Sequence, residues 1–159
     1  EEPAALTALS SACALTEAAL PECAPYPRVY EGLRILISAL GVPGAGWSCA
    51  YVRWEVGLLA ELGYGLDLTA CAVTGTTGNL SHVSPRTGRA VCADVAAPYR
   101  ERLLPLPAFL GSGEGGVTTG DVRKGLDLTG FFLMQHVFAS HRTALPAARL
   151  RLAEHLRAA

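Results

Sequence analysis

The sequence SCAYVRWEVGLLAELGYG, residues 48–65, predicts an amphipathic α-helix. Its large apolar side chains recur at intervals of three and four, the spacing that places them on one face of a helix. They are Tyr51, Trp54, Leu58 and Leu62. Gly63 and Gly65 follow, and a glycine just beyond a helix commonly adopts the left-handed cap conformation. We therefore expect a helix that ends near residue 62 and buries one face.

Two more helices are expected upstream. The first carries apolar residues at helical spacing until Pro21 ends it, and the second begins after Pro27 and stops at the glycine- and proline-rich residues 41–46. Three helices with apolar stripes and short connections favour antiparallel packing around a shared core.

Residues 69–95 have a different pattern. They are mostly Thr, Gly, Ser, Ala and Val, with almost no helical period. Two short runs, 80–84 and 89–92, flank the sequence Pro-Arg-Thr-Gly at 85–88. Pro and Gly stand where a β-turn favours them, so a β-hairpin is predicted here.

Helical spacing returns towards the end of the chain. Residues 96–110 predict one short helical turn and a stiff Leu-Pro-Leu-Pro segment at 104–107. Apolar stripes at 122–137 and 145–156 predict two further helices, the last with Pro146 in its first turn. The predicted class is mainly α, an antiparallel helical bundle with a small inserted β-hairpin.

The composition indicates a globular domain with an uneven charge distribution. Of 159 residues, 50% are hydrophobic and 17% charged, which excludes a disordered chain. The net charge is −1, but residues 1–67 hold eight acids and three arginines, whereas residues 123–159 hold six bases and two acids. The bases could form a phosphate-binding face or ordinary solvated surface, and charge alone leaves both interpretations open.

Localisation can be predicted from the apolar segments and the cysteines. Two runs without charged residues, 35–52 and 68–85, approach the length of a membrane span, but both are interrupted by Gly, Pro or polar residues. Five cysteines without a framework spacing favour a reducing compartment, so we expect a cytoplasmic protein without membrane segments. The chain begins with Glu1 rather than Met, which predicts a fragment or processed product.

A pair of cysteines has the spacing of a zinc ribbon. The sequence Cys-Ala-Val-Thr at 71–74 is followed, after seventeen residues, by Cys-Ala-Asp-Val at 92–95. A zinc ribbon has a second cysteine three residues after the first in each half. Here Thr74 occupies that position after Cys71 and Val95 occupies it after Cys92, and neither side chain serves as a zinc ligand. We expect a degenerate site at Cys71, Thr74, Cys92 and Val95, with no metal and no cofactor.

Enzyme chemistry has little support in the sequence. There is no GxSxG motif, and no histidine stands near a recognisable nucleophile. We expect a protein that is not an enzyme. One rival stays open: a redox or metal-dependent enzyme that uses Cys71, Cys92 and a histidine.

Several motifs, in their order along the chain, resemble one family. They are YVRWE at 51–55, LAELGYGLDL at 59–68, CAVTG at 71–75, VSPRTGRAV at 83–91, LLPLP at 103–107 and LPAAR at 145–149. Together they resemble the C-terminal domain of the RecO family of bacterial recombination mediators. The CAVTG variant looks like the alphaproteobacterial branch of that family.

This resemblance implies a domain organisation. Family members join an N-terminal OB-fold to a helical domain, which in many of them carries a zinc-ribbon insertion. Residues 1–159 would be the helical C-terminal domain, with 69–95 as a degenerate zinc-ribbon-like insertion, and the OB-fold would lie outside this sequence.

The resemblance also implies a function. The chain would be a non-enzymatic recombination mediator in DNA repair through the RecF pathway, cytoplasmic and associated with the nucleoid. It would bind single- and double-stranded DNA, anneal complementary strands, associate with RecR and with the C-terminal tail of single-stranded-DNA-binding protein, and so help RecA to load. The alternative is a pure protein-interaction module that contacts RecR or the tail without binding DNA itself.

Two sets of site residues follow. Arg53, within the Arg-aromatic-Glu motif, would hold the acidic partner tail beside an apolar helix groove. For DNA, phosphate contacts would come from Arg86 and Arg89 at the hairpin and from Arg123 with Lys124.

Overall fold

The computed structural model describes residues 2–42, 46–111 and 117–158. Within these ranges the chain is mainly helical, as predicted. The helices are α1 (Glu2–Ala19), α2 (Pro27–Leu40), α3 (Trp47–Glu61), α4 (Ala93–Ala96), α5 (Thr119–Phe132) and α6 (Ala147–Ala158).

Local sequence accounts for the ends of these helices. Pro27 opens α2, where its missing N–H and its fixed φ suit the first helical turn. Beyond α3 the chain leaves through Gly63, whose φ of 89° is left-handed, as the sequence predicted. A capping box begins α5: the Asp121 N–H donates to Thr118 Oγ1 (3.1 Å), and the Thr118 N–H donates to Asp121 Oδ2 (3.2 Å).

Four helix pairs surround the main core. α1 packs against α6, α2 against α3, and α5 against both α3 and α6. Tyr51, Val52, Leu58 and Leu59 of α3 are completely buried, so this helix is central. Gly125 of α5 allows the close approach of α3, because a Cβ at this position would lie 2.8 Å from Val52 Cγ1.

The predicted hairpin is present and belongs to a sheet of three short antiparallel strands. They are β1 (Leu80–Val83), β2 (Ala90–Cys92) and β3 (Leu104–Pro105), in the order β2-β1-β3. The turn is closed by the Ser84 N–H, which donates to the Arg89 carbonyl (2.9 Å). The third strand was not expected, because its Leu-Pro-Leu-Pro sequence was interpreted as a stiff connection. An edge strand of two residues tolerates a proline.

The helix predicted over 122–137 is interrupted. α5 ends at Phe132, and Leu133–Phe138 form a π-helix followed by a 3₁₀ turn, Ala139–His141. Leu133, Val137 and Phe138 of the π-helix remain buried, so the apolar spacing does not distinguish this segment from a continued α-helix. Within the part of the chain that the structure describes, no helix is both long and apolar enough to cross a bilayer.

Candidate functional site

One surface of the described chain carries an open groove of about 890 Å³. It lies between α5, the π-helix, α6 and the hairpin turn, and its lining is mostly apolar. Three large apolar side chains in the groove remain partly exposed: Phe131 at 39%, Met134 at 36% and Leu150 at 47%. Such a cluster on a small protein is a typical binding surface.

Charged side chains stand at the rim of this groove. Arg157 Nη2 donates to Asp127 Oδ1 at 2.6 Å, an exposed ion pair between α6 and α5. Arg86 enters the groove from the hairpin turn and has no ion-pair partner among the described residues. The groove therefore combines an apolar lining with at least one guanidinium available to an acidic ligand.

A buried ion pair borders the same groove. Glu55 of α3 is fully buried and Arg149 of α6 is 2% exposed. Arg149 Nη2 lies 3.0 Å from Glu55 Oε2, and Arg149 Nε donates to Oε1 of the same carboxylate. Arg149 Nη2 also donates to the Leu126 carbonyl (2.9 Å), and the buried Thr129 hydroxyl donates to Glu55. The two charges are thus paired and hydrogen-bonded, as buried charges must be.

Burial and pairing act in opposite directions on these groups. Burial disfavours the charge on Arg149, but the Glu55 carboxylate beside it holds the pKa of this guanidinium above its usual value. Burial, then the charge of Glu55, raises the pKa of Tyr51 well above its usual range. Tyr51 shares a hydrogen bond of 2.5 Å with Ser11 of α1. The network therefore connects α1, α3, α5 and α6.

Sequence reasoning missed this network, because Arg149 was counted among the basic residues of the last helices. A signal was present: Glu55 lies four residues after Tyr51 and three before Leu58, on the apolar stripe of α3. A carboxylate in that position needs a buried cation.

Arg53, expected to hold an acidic tail, lies elsewhere on α3. Its Nη2 donates to the Phe109 carbonyl (3.1 Å), and its guanidinium stands 5.6 Å from the centre of the Phe109 ring. Arg53 is not among the residues that line the groove.

The four residues expected to contact DNA have different surroundings. Arg86 is at the groove, whereas Arg89 forms an ion pair of 3.4 Å with Asp67. Arg123 precedes Asp127, a residue of the groove, by four positions on α5, so the two side chains lie on the same side of that helix. Lys124 bonds Asp121 Oδ1 at 3.3 Å.

A second basic area lies around β1. Burial lowers the pKa of His82, and the positive charges of Arg100 and Lys124 lower it further. His82 Nδ1 also shares a hydrogen bond of 2.8 Å with the Ser81 hydroxyl. Lys124 and Arg100 are therefore both close enough to His82 to act on its charge.

The cysteine pattern forms a small cluster of its own. The Cys92 N–H donates to Cys71 Sγ (3.3 Å), and Thr74 Oγ1 lies 3.8 Å from Cys92 Sγ. Val95 packs against the same cluster. Within the described chain, no group of three or more His, Cys, Asp or Glu side chains could hold a metal ion.

The thiol of Cys71 has an unusual environment. Burial would raise its pKa, but the Thr74 hydroxyl and the backbone N–H groups of Cys92, Thr74 and Val73 lower it to about 6. These donors stabilise the thiolate relative to that of an ordinary cysteine.

An open apolar groove with charged rims, carried on packed helices, is typical of a domain that binds a segment of a partner protein. The chain belongs to the family described as "Recombination protein O C terminal", whose model matches residues 1–145. The predicted family is thereby confirmed.

The chain is also similar to full-length proteins of that name. It is 49% identical to the DNA repair protein RecO of Caulobacter sp. (strain K31), over 98% of this chain and 64% of that protein. It is 51% identical to the DNA repair protein RecO of Rhodospirillum centenum, over 100% of this chain and 63% of that protein. The chain thus spans less than two thirds of the length of these relatives. No solved structure matches it.

Proposed function

We propose that this chain is the helical part of a non-enzymatic recombination mediator, which acts in DNA repair by binding DNA and partner proteins. Membership of the family and the names of its relatives support a role in DNA repair. The observation that carries the proposal is the groove beside Arg86, which offers apolar contacts and a cation together.

The occupant of this groove is the C-terminal tail of single-stranded-DNA-binding protein, an acidic and apolar segment. Phe131, Met134 and Leu150 would contact its apolar side chains, while Arg86 would meet its carboxylates. Arg53 stays a second candidate for the tail, since an exposed cation beside the Phe109 ring offers similar chemistry on a smaller scale.

Filling the groove tests this assignment. Gly130 lines the groove, and a Cβ there would make ordinary contacts with Arg149 Nη2 (3.6 Å) and Leu145 Cδ1 (3.9 Å), so we expect the side chain of Gly130→Leu to occupy the groove. Gly57→Leu is the matched control, because no atom lies within 4 Å of a Cβ there. We expect Gly130→Leu to lower the affinity for a fluorescent tail peptide about tenfold or more, equivalent to ~1.4 kcal/mol, in anisotropy titrations.

The same titration distinguishes the two candidate sites. Arg86→Glu should lower the affinity for the tail peptide as Gly130→Leu does. Gly57→Leu and Arg53→Ala should leave this affinity unchanged. Loss of binding in Arg53→Ala alone, with Gly130→Leu unaffected, would assign the tail to Arg53 instead.

DNA is the second ligand we propose. Arg86, Arg89, Arg123 and Lys124 contact phosphates of single and double strands, which accounts for the basic residues left exposed near the groove and β1. Charge reversal of Arg123, which has no ion-pair partner in the described chain, should reduce both affinity and the slope of log affinity against log salt, by about 1 per phosphate contact.

The alternative of a pure protein-interaction module predicts a different result. It would bind the tail but show no salt-dependent affinity for DNA. A salt titration with a labelled single strand therefore separates the two functions.

The remaining expectations belong to the whole protein. We propose that residues 1–159 form one antiparallel helical unit, that 69–95 stand in the place of a zinc ribbon, and that no metal or cofactor is required. Strand annealing, association with RecR and help to RecA loading, in the cytoplasm at the nucleoid, would involve the longer protein. Co-purification of the full-length protein with RecR tests the partner directly.

A further inference from the structure

The thiols of Cys71 and Cys92 adjoin each other in a cluster separate from the main core. Cys71 precedes β1 and Cys92 ends β2. Both pack with Val91 and Ala96, and the exposed fraction is 2% for Cys71 and 4% for Cys92. Neither thiol takes part in the groove, the buried ion pair or the basic surface, so the proposed function leaves this site unexplained.

Their geometry suits a bond between the two sulfurs. Cys71 Sγ accepts the hydrogen bond of the Cys92 N–H at 3.3 Å, so it lies beside the backbone that carries the other thiol. Thr74 Oγ1 is only 3.8 Å from Cys92 Sγ. The two residues are therefore neighbours across the cluster, as a disulfide requires, since its Cα atoms stand about 4.4–6.8 Å apart.

A small reagent has a short path to this cluster. Residues 73–79, which follow Cys71 directly, are all exposed, and Val73 is 70% exposed. Thr74, the residue beside Cys92 Sγ, is itself exposed.

We propose that Cys71 and Cys92 form a redox-active dithiol, which a hydroperoxide oxidises to a disulfide. The Cys71 thiolate attacks one peroxide oxygen, the O–O bond breaks, and a sulfenic acid and hydroxide form. The Cys92 thiol then attacks the sulfenic sulfur, the S–S bond forms, and the hydroxyl leaves with the thiol proton as water. Hydroxide takes up the proton that Cys71 released on ionising. The sulfurs lose two electrons, and the peroxide is reduced to two equivalents of water or to water and an alcohol.

The hydrogen-bond donors around each sulfur assign these roles. Cys71 receives the backbone N–H of Cys92 and is held as a thiolate, which makes it the attacking nucleophile. Cys92 has the weak Thr74 hydroxyl contact and acts as the resolving thiol.

Peptide mapping of the chain tests the proposal directly. Trypsin places Cys71 on peptide 54–86 and Cys92 on peptide 90–100, away from Cys13, Cys23 and Cys49. After brief treatment with hydrogen peroxide, we expect these two peptides linked, two hydrogens lighter than their sum, and the free thiols reduced from five to three. Dithiothreitol should reverse both changes.

Other cysteines provide the controls. Cys13 and Cys23 are exposed, and their Ser variants should form the same link. Cys92→Ser should instead leave Cys71 as a sulfenic acid that dimedone traps, and circular dichroism checks that it is folded. Absence of the 71–92 link in the unmodified chain, or a link made only through Cys13 or Cys23, would overturn the proposal whether or not the chain binds DNA.

Discussion

At the scale of single residues, the pair of Glu55 and Arg149 shows how one buried charge determines its partner. Arg149 is 2% exposed, yet its guanidinium meets the Glu55 carboxylate and the Leu126 carbonyl. A buried pair of this kind is weak evidence for stability as a whole, but removing one member leaves an uncompensated charge.

We expect Glu55→Gln to lower the free energy of unfolding by about 3–5 kcal/mol, because Arg149 would remain buried and charged. Urea denaturation measures this change. Glu31→Gln is the control, since it breaks the exposed Glu31–Arg34 pair of α2 and should have no measurable effect. The double variant Glu55→Leu/Arg149→Met should lose less free energy of unfolding than Glu55→Gln. Equal losses for Glu31→Gln and Glu55→Gln would contradict this interpretation.

The thiolate of Cys71 gives a second residue-scale prediction. Its pKa is about 6 in the folded chain and about 8.5 in an unfolded one. Between these values the folded state binds fewer protons, so the free energy of unfolding should rise as pH increases from 6 to 8.5 and fall as pH drops towards 6. The substitution Cys71→Ser should remove this rise. Urea denaturation of the variant and of the unmodified chain at each pH measures the difference.

Alkylation provides an independent check on the same thiol. The rate of reaction of Cys71 with iodoacetamide should reach half its maximum near pH 6, whereas burial raises the pKa of Cys49 and should keep that thiol slow. A midpoint for Cys71 near 8.5 would show that the surrounding donors do not stabilise its thiolate.

At the scale of elements, apolar spacing and the breakers at their ends predicted α1, α2 and α3, and the turn residues at 85–88 predicted the hairpin. Two elements depended on tertiary context instead. β3 forms only because β1 offers an edge, with His82 opposite Pro105. The π-helix at 133–138 keeps Leu133, Val137 and Phe138 buried despite the altered hydrogen bonding. Neither has a local signal that a single sequence would reveal.

Replacing glycine by alanine should have opposite effects on stability at two positions, one at the contact between α3 and α5 and one that faces open space. Gly125→Ala would place a Cβ 2.8 Å from Val52 Cγ1, so we expect a loss of about 1–3 kcal/mol in the free energy of unfolding. Gly57→Ala, within α3 but facing open space, should gain roughly 0.5–1 kcal/mol from lower backbone entropy in the unfolded chain. Thermal unfolding of both variants measures the contrast, and a stable Gly125→Ala would mean that the helices do not approach so closely.

At the scale of the whole molecule, the net charge of −1 is the sum of an acidic N-terminal part and a basic C-terminal part. The exposed cations could be predicted from the sequence, because arginines concentrate at the hairpin and in the last helices. Their grouping could not, since it depends on how α5 faces both the hairpin turn and β1. Arg86 lies at the groove, whereas Lys124 is close enough to His82 to lower its pKa.

Because Arg86 is a proposed contact for both ligands, we expect the tail peptide and DNA to compete. Saturating peptide should lower the affinity of the chain for single-stranded DNA roughly fivefold or more. Saturating DNA should lower the affinity for the peptide by the same factor, because binding free energies are reciprocally coupled. Fluorescence anisotropy with either ligand labelled measures both factors. In Gly130→Leu, which keeps Arg86 but fills the groove, added peptide should leave DNA affinity unchanged. If both ligands bind the unmodified chain independently, Arg86 serves at most one of them, and the basic group around Lys124, Arg100 and His82 becomes the site for phosphate.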